Sequence, residues 1–188
     1  MASRPPQPLD YRRFGEAFIL NAVTPERIVD AVTRIAGEVV ELGPISAGPG
    51  GKATVHARGR IGAPSADETG SDPLAYDLLL PLDVSLEVKV GGVNRYDATG
   101  EIPLRLEVKT VEPLAIVIDV EPVRARDIRF RIDAKGLQAR LLGRAGDVGG
   151  ELRRHTADYV NARLSAPETS RYTTIDLLPL MDRVWSEI

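Results

Sequence analysis

The chain has 188 residues, no Cys, 24 Lys plus Arg against 27 Asp plus Glu, and 43% hydrophobic residues. That hydrophobic fraction excludes wholesale disorder, and a formal charge of −3 argues against a nucleic-acid partner, whose binding domain would be basic. The lack of Cys removes disulfides, thiol catalysis and Cys-ligated zinc, and no apolar run reaches the roughly 18 residues of a membrane-spanning helix.

Residues 1–10 (MASRPPQPLD) are Pro-rich and polar and read as a flexible tail, followed by one α+β domain over 11–188. The opening lacks the charged-then-apolar order of a signal peptide, so a cytoplasmic protein is expected. Tyr11 to Gly37 reads as helical in two pieces. The second starts cleanly: Thr24 as N-cap, Pro25 at the first helical position and Glu26 in the first turn, with Gly37 as the stop. Residues 14–23 (FGEAFILNAV) fit either a helix, through Phe14 and Phe18, or an alternating strand.

The segment 42–51 (LGPISAGPGG) reads as turn material. In KATVHARGRI, Ala53, Val55, Ala57, Gly59 and Ile61 share one face and the polar residues the other, which predicts a strand with one dry face. Residues 62–73 (GAPSADETGSDP) read as an acidic loop. From Leu74 to Val90 every even position is apolar or aromatic, and the pattern resumes from Tyr96 to Val108. Two further strands carry Leu114, Ile116, Ile118 and Val120, then Ile128, Phe130, Ile132 and Ala134. In the long hairpin a five-residue loop at 91–95 pairs Val90 with Tyr96, which sets Lys89 against Asp97 and Asp77 against Lys109. Pro81 and Pro103 lie on the polar face, where a bend or bulge is expected. Residues 136–146 (GLQARLLGRAG) add a turn or short helix. Asp147 caps a helix to about Leu164, striped by Val148, Leu152, Tyr159 and Val160. The end of the chain forms a short strand or turn and an amphipathic helix around Leu180, Val184 and Trp185.

These elements predict a long, curved antiparallel sheet of five to six strands whose apolar face is wrapped on N- and C-terminal helices. The strands are longer than the usual five or six residues. Five of them at about 4.8 Å spacing, the longest about 55 Å if straight, give a dry face on the order of 1,300 Å². Two 18-residue helices cover on the order of 540 Å². Curling, a partner chain or an apolar ligand must cover the rest.

The order of these elements resembles the tubular lipid-binding superfamily (TULIP and SMP domains) over about 24–164: a long helix, a meander of long strands apolar on one face, then another long helix. Those domains wrap a curved sheet around a long helix and hold acyl chains in the seam. The chain is also similar to the helix-grip fold of START and Bet v 1-like proteins, with FGEAFILNAV as the strand that fold needs before its first helices. Both resemblances imply non-enzymatic binding of a lipid or other apolar small molecule between sheet and helix. The expected lining is Leu78, Leu80, Leu82, Val84 and Leu86 on one strand, Ile102, Leu104 and Leu106 on the next, then Ile116, Ile118 and Phe130. The alternative is a homodimer or protein-interaction module with no small ligand.

No enzyme, metal or cofactor site is expected. His56 and His155 are about a hundred residues apart, with no triad or ligand cluster around either. GPGGK (48–52) has the wrong spacing for a phosphate loop and precedes a strand. Asp83, Glu87, Asp97 and Glu101 alternate outward on one hairpin, as on a solvated face. Residues 123–144 hold seven basic and two acidic residues, which suits a polar sheet face or a peripheral contact with phosphate head groups.

Overall fold

The computed structural model describes residues 7–36, 39–48, 51–133 and 147–187. It is an α+β fold in which a curled antiparallel sheet forms a half-barrel, with helices at both ends of the chain. Its helices are α1 (Tyr11–Ala22), α2 (Pro25–Ala36), α3 (Val148–Leu164), the single turn α4 (Ser170–Thr173) and α5 (Leu178–Ser186). Its strands are β1 (Val39–Ala47), β2 (Ala53–Ile61), β3 (Ser65–Ser71), β4 (Leu74–Lys89), β5 (Val93–Val111), β6 (Ala115–Val120), β7 (Arg129–Asp133) and β8 (Thr174–Asp176). Six strands follow one path, β1-β2-β4-β5-β6-β8, while β3 pairs with β4 and β7 with β5.

Alternation dictates the sheet. Along β4 and β5 the buried side chains fall on every second residue, from Leu74 to Val88 and from Tyr96 to Val108. The two long strands form a spine. At the turn end of the hairpin, β2 flanks β4 and β7 flanks β5; at the other end, β3 and β6 take those places. Pro81 and Pro103 sit where these short neighbours hand over. β2 pairs with β4 as far as Leu82 and β3 from Leu79, while β7 pairs with β5 as far as Glu101 and β6 from Leu106. A missing N–H costs little at such a joint. The β4–β5 register runs unbroken through both prolines, so the expected bulge there is absent.

The register itself differs from expectation. Lys89 pairs with Val93, so the loop is Val90–Gly92 rather than 91–95. Leu86 faces Tyr96, Ser85 faces Asp97 and Asp77 faces Arg105. Charge is satisfied here too: Glu87 opposes Arg95, at 3.6 Å, and also meets Lys89 at 3.3 Å.

Of the two readings of 14–23 the structure takes the helix, and two loop readings are corrected. Residues 14–23 are helical, within α1 and its end, and Asp10 caps that helix by accepting from the Arg13 N–H at 2.8 Å. Most of 42–51 belongs to β1. Gly43 and Pro44 together oppose His56, a bulge that keeps Leu42 and Ile45 both facing inward. Gly43 has φ +129°, and a Cβ there would lie 2.8 Å from the Val55 carbonyl oxygen, so only glycine fits. Within the expected loop 62–73, residues 65–71 form β3, an edge strand on β4. Gly37, 49–50, Ala134 and the predicted turn or helix at 136–146 lie outside the described residues.

The helices close the concave side. Ile28 of α2 and Val148, Leu152, Thr156 and Ala157 of α3 are buried. Thr24 caps α2, accepting from the Arg27 N–H at 3.4 Å, and Arg27 in turn donates to the Asn21 and Ala22 carbonyls at the end of α1. Tyr76 of β4 fixes this corner to the sheet, its buried hydroxyl donating to the Val23 carbonyl at 2.7 Å. Asn161 of α3 holds the segment between β6 and β7, accepting from the Val123 N–H at 2.8 Å and donating to its carbonyl at 2.9 Å.

Candidate functional site: two apolar concavities

The first concavity is the seam between α2, α3 and the sheet. The inward residues Leu80 and Leu82 of β4, Ile102, Leu104 and Leu106 of β5, and Ile118 of β6 form its floor. Ile28, Ala31, Val32 and Ile35 of α2 and Thr156, Tyr159, Val160, Arg163 and Leu164 of α3 form its walls. Spacing of three and four residues puts each wall on one helix face. The room within the seam is about 70 Å³, about half of the roughly 150 Å³ of an apolar cavity that binds benzene.

Six of the eleven residues expected to line a ligand cavity meet in this seam: Leu80, Leu82, Ile102, Leu104, Leu106 and Ile118. Leu78 and Leu86 are buried in the core on either side of it. Val84 packs beside Gly59. Ile116 pairs with Ile175 of β8 and lies at the second concavity. Phe130 lays its ring over Gly100, where it would collide with any added Cβ.

Polar groups in the seam are few. Arg163 donates from its guanidinium to the Ile35 carbonyl at 3.1 Å, tying the end of α3 to the end of α2. Thr169 donates to the Arg163 carbonyl at 2.7 Å. Thr156 is buried with its hydroxyl unpartnered. Close to the seam, burial raises the Tyr76 phenol above its ordinary pKa, with help from the charges of Glu68 and Glu26. Glu26 is itself held low by its own backbone N–H and the Thr24 hydroxyl.

The second concavity is an open groove of about 880 Å³ on the outside, framed by α1, α5 and the β5–β6 turn. Phe14 and Phe18, stacked with centroids 6.4 Å apart, form one wall, and Leu180, Met181, Val184 and Trp185 form the other. Neither α1 nor α5 has a buried residue. Sequence reading finds Phe14 and Phe18 and the stripe of Leu180, Val184 and Trp185; that the two exposed faces converge is a non-local fact.

Elsewhere, charged residues gather on the outer sheet face, where Arg58, Arg60, Asp83, Asp97 and Asp133 line a shallow concavity. His56 is exposed on the outer face of β2 and His155 is half-buried on α3. Among the described residues no three His, Cys, Asp or Glu gather to hold a metal. Asp83 and Asp97 are exposed, and the half-buried Glu101 meets Arg129 at 3.7 Å. Of the basic stretch 123–144, Arg124, Arg126, Arg129 and Arg131 are exposed, Arg126 pairs with Asp127, and 134–144 lie outside the described residues. No described helix is long and apolar enough to cross a membrane.

No protein-family model matches the chain, and no curated protein matches it.

Proposed function

We propose that the protein binds a lipid or other apolar small molecule in the seam between the half-barrel and α2 and α3, by contact and without chemistry. The apolar lining of that seam is the observation that carries the reading, and the resemblance to tubular lipid-binding domains agrees with it. Because the room at rest is about 70 Å³, a long chain enters as α2 and α3 part from the floor or as the floor itself bends. Their contacts there are side-chain packing, which re-forms around a new apolar surface. An uncharged environment-sensitive dye should bind saturably, near one per chain, and be displaced by long-chain lipids. Val32→Trp, which fills the seam from a half-buried position, should weaken dye binding at least tenfold with little loss of melting temperature. A dye that fails to saturate, or binds Val32→Trp as well as wild type, would exclude the seam.

The outer groove favours a second reading, self-association. α1 and α5 have 12 and 9 residues, at or below the length at which an isolated helix is stable in water, so both gain from a cover. Eight apolar side chains around the groove are exposed, from 40% at Phe18 to 73% at Trp185, a surface of the kind an interface covers. The two helices carry Arg12, Arg13 and Arg183 against Glu16 and Asp182. That near-neutrality opposes neither a second copy nor close packing, and it lacks the basic face of a membrane-surface helix. Trp185, 73% exposed at the edge of the concavity, supplies a knob beside a hole, as a two-fold interface requires.

A further inference from the structure

We infer that the seam takes a neutral amphiphile, a hydrocarbon chain bearing one hydroxyl or carbonyl group that hydrogen-bonds the Thr156 hydroxyl. This rests on the apolar-ligand reading above and adds the chemistry of the ligand. Thr156 lies one turn beyond Leu152 on the inward stripe of α3, is 1% exposed and lines the seam. Among the described residues its hydroxyl is the one buried side-chain polar atom with no partner. Thr169, the other buried polar residue, shows the ordinary arrangement: its hydroxyl donates to a backbone carbonyl.

An unpaired buried hydroxyl is costly, Thr33 of α2 shows the usual helical arrangement by donating to the Val29 carbonyl, and a partner from outside the chain is one way to complete Thr156. Water is a poorer fit, because an ordered water needs two to four polar partners and the sheet side of the seam is Leu, Ile and Val, with the other lining hydroxyls, Tyr159, Tyr172 and Thr173, on the helices. An anion is also poorly suited. Arg163 stands two turns further along α3, exposed, with its guanidinium on the Ile35 carbonyl, so a charge at the depth of Thr156 would be buried without a partner. A hydroxyl or carbonyl carries no charge, satisfies Thr156 and leaves its chain on the apolar floor.

The test pairs Thr156→Val, which keeps the side-chain shape, with two probes of equal size, 1-decanol and undecane. Binding is read by displacement of the uncharged dye from the full chain. Thr156→Val should lose roughly three- to tenfold in decanol affinity, the worth of one net hydrogen bond, with undecane unchanged or tighter. The unliganded variant should melt at or above the wild-type temperature, since it no longer buries an unpaired hydroxyl. Equal changes for both probes, or a lower melting temperature with decanol affinity intact, would overturn the inference while leaving the apolar seam standing. If neither probe displaces the dye from the wild type, the inference and the apolar-ligand reading fall together.

Discussion

Single residues set the joints of this fold, and Tyr76 is the clearest case. Its ring belongs to the inward face of β4 while its hydroxyl closes the α1–α2 corner on the Val23 carbonyl. Burial holds its folded-state pKa above the ordinary value, so the folded chain resists ionising it. The sign follows: the stabilisation is whole below the unfolded tyrosine pKa of about 10 and is lost as pH rises past it. Tyr76→Phe should cost about 1 kcal/mol at neutral pH, from the lost hydrogen bond. It should also flatten the fall in stability above about pH 10, in denaturant melts taken across pH. A variant whose alkaline slope matched wild type would show that another group carries it. Gly100 is a second joint: the Phe130 ring occupies the space of its missing side chain, as an aromatic covers a glycine on a neighbouring strand.

At the scale of elements, what the sequence made legible is what repeats. β2, β4 and β5 alternate strictly, so a period of two identifies them and their inward faces. β1 escapes notice because Gly43–Pro44 reads as a turn, although those residues bulge within a strand. β3 escapes because it is an edge with Ser65, Asp67, Glu68, Thr69 and Ser71 exposed; its backbone bonds to β4 leave no side-chain signature. The hairpin register is missed because two registers both satisfy charge, one through Lys89–Asp97 and the observed one through Glu87–Arg95. Of the site, the floor of the seam could be read from strand alternation, but not which helix residues stand over it or how little room they leave. Register can be fixed by cross-linking, since the chain has no Cys of its own. The double variant Ser85→Cys with Asp97→Cys should form a disulfide in the folded protein, because these residues are opposite and cross-strand Cα distances suit the bond. Lys89→Cys with Asp97→Cys should not; efficient cross-linking of that second pair would restore the five-residue loop.

For the whole molecule the open question is what covers the groove between α1 and α5. Its wall holds the single tryptophan of the chain, Trp185, which reports directly on that surface. If a second copy covers it, mass by sedimentation should move from monomer to dimer with concentration. Trp185 emission should shift to the blue over the same range. Met181→Glu, placing a charge in the groove, should hold the chain as a monomer with red emission throughout and an unchanged circular dichroism spectrum. A wild type that stays monomeric at every concentration, with constant emission, would leave the groove to a different partner. Dye binding in the seam is independent of this outcome, because the two concavities share no side chain among those lining them.

The handover at Pro81 and Pro103 has a mechanical meaning. Across that line the sheet is carried mainly by two strands, because the short neighbours on each flank stop or start there. A hydrogen-bonded ladder resists folding about its own width in proportion to the strands that cross the crease, so the half-barrel is most pliable at this point. Leu80, Leu82, Ile102 and Leu104, which flank the two prolines in sequence, are floor residues of the seam. On the proposed apolar-ligand reading, an occupant too large for the room at rest would press on the most compliant part of the molecule, and the floor would yield there before the ladder on either side gave up a bond.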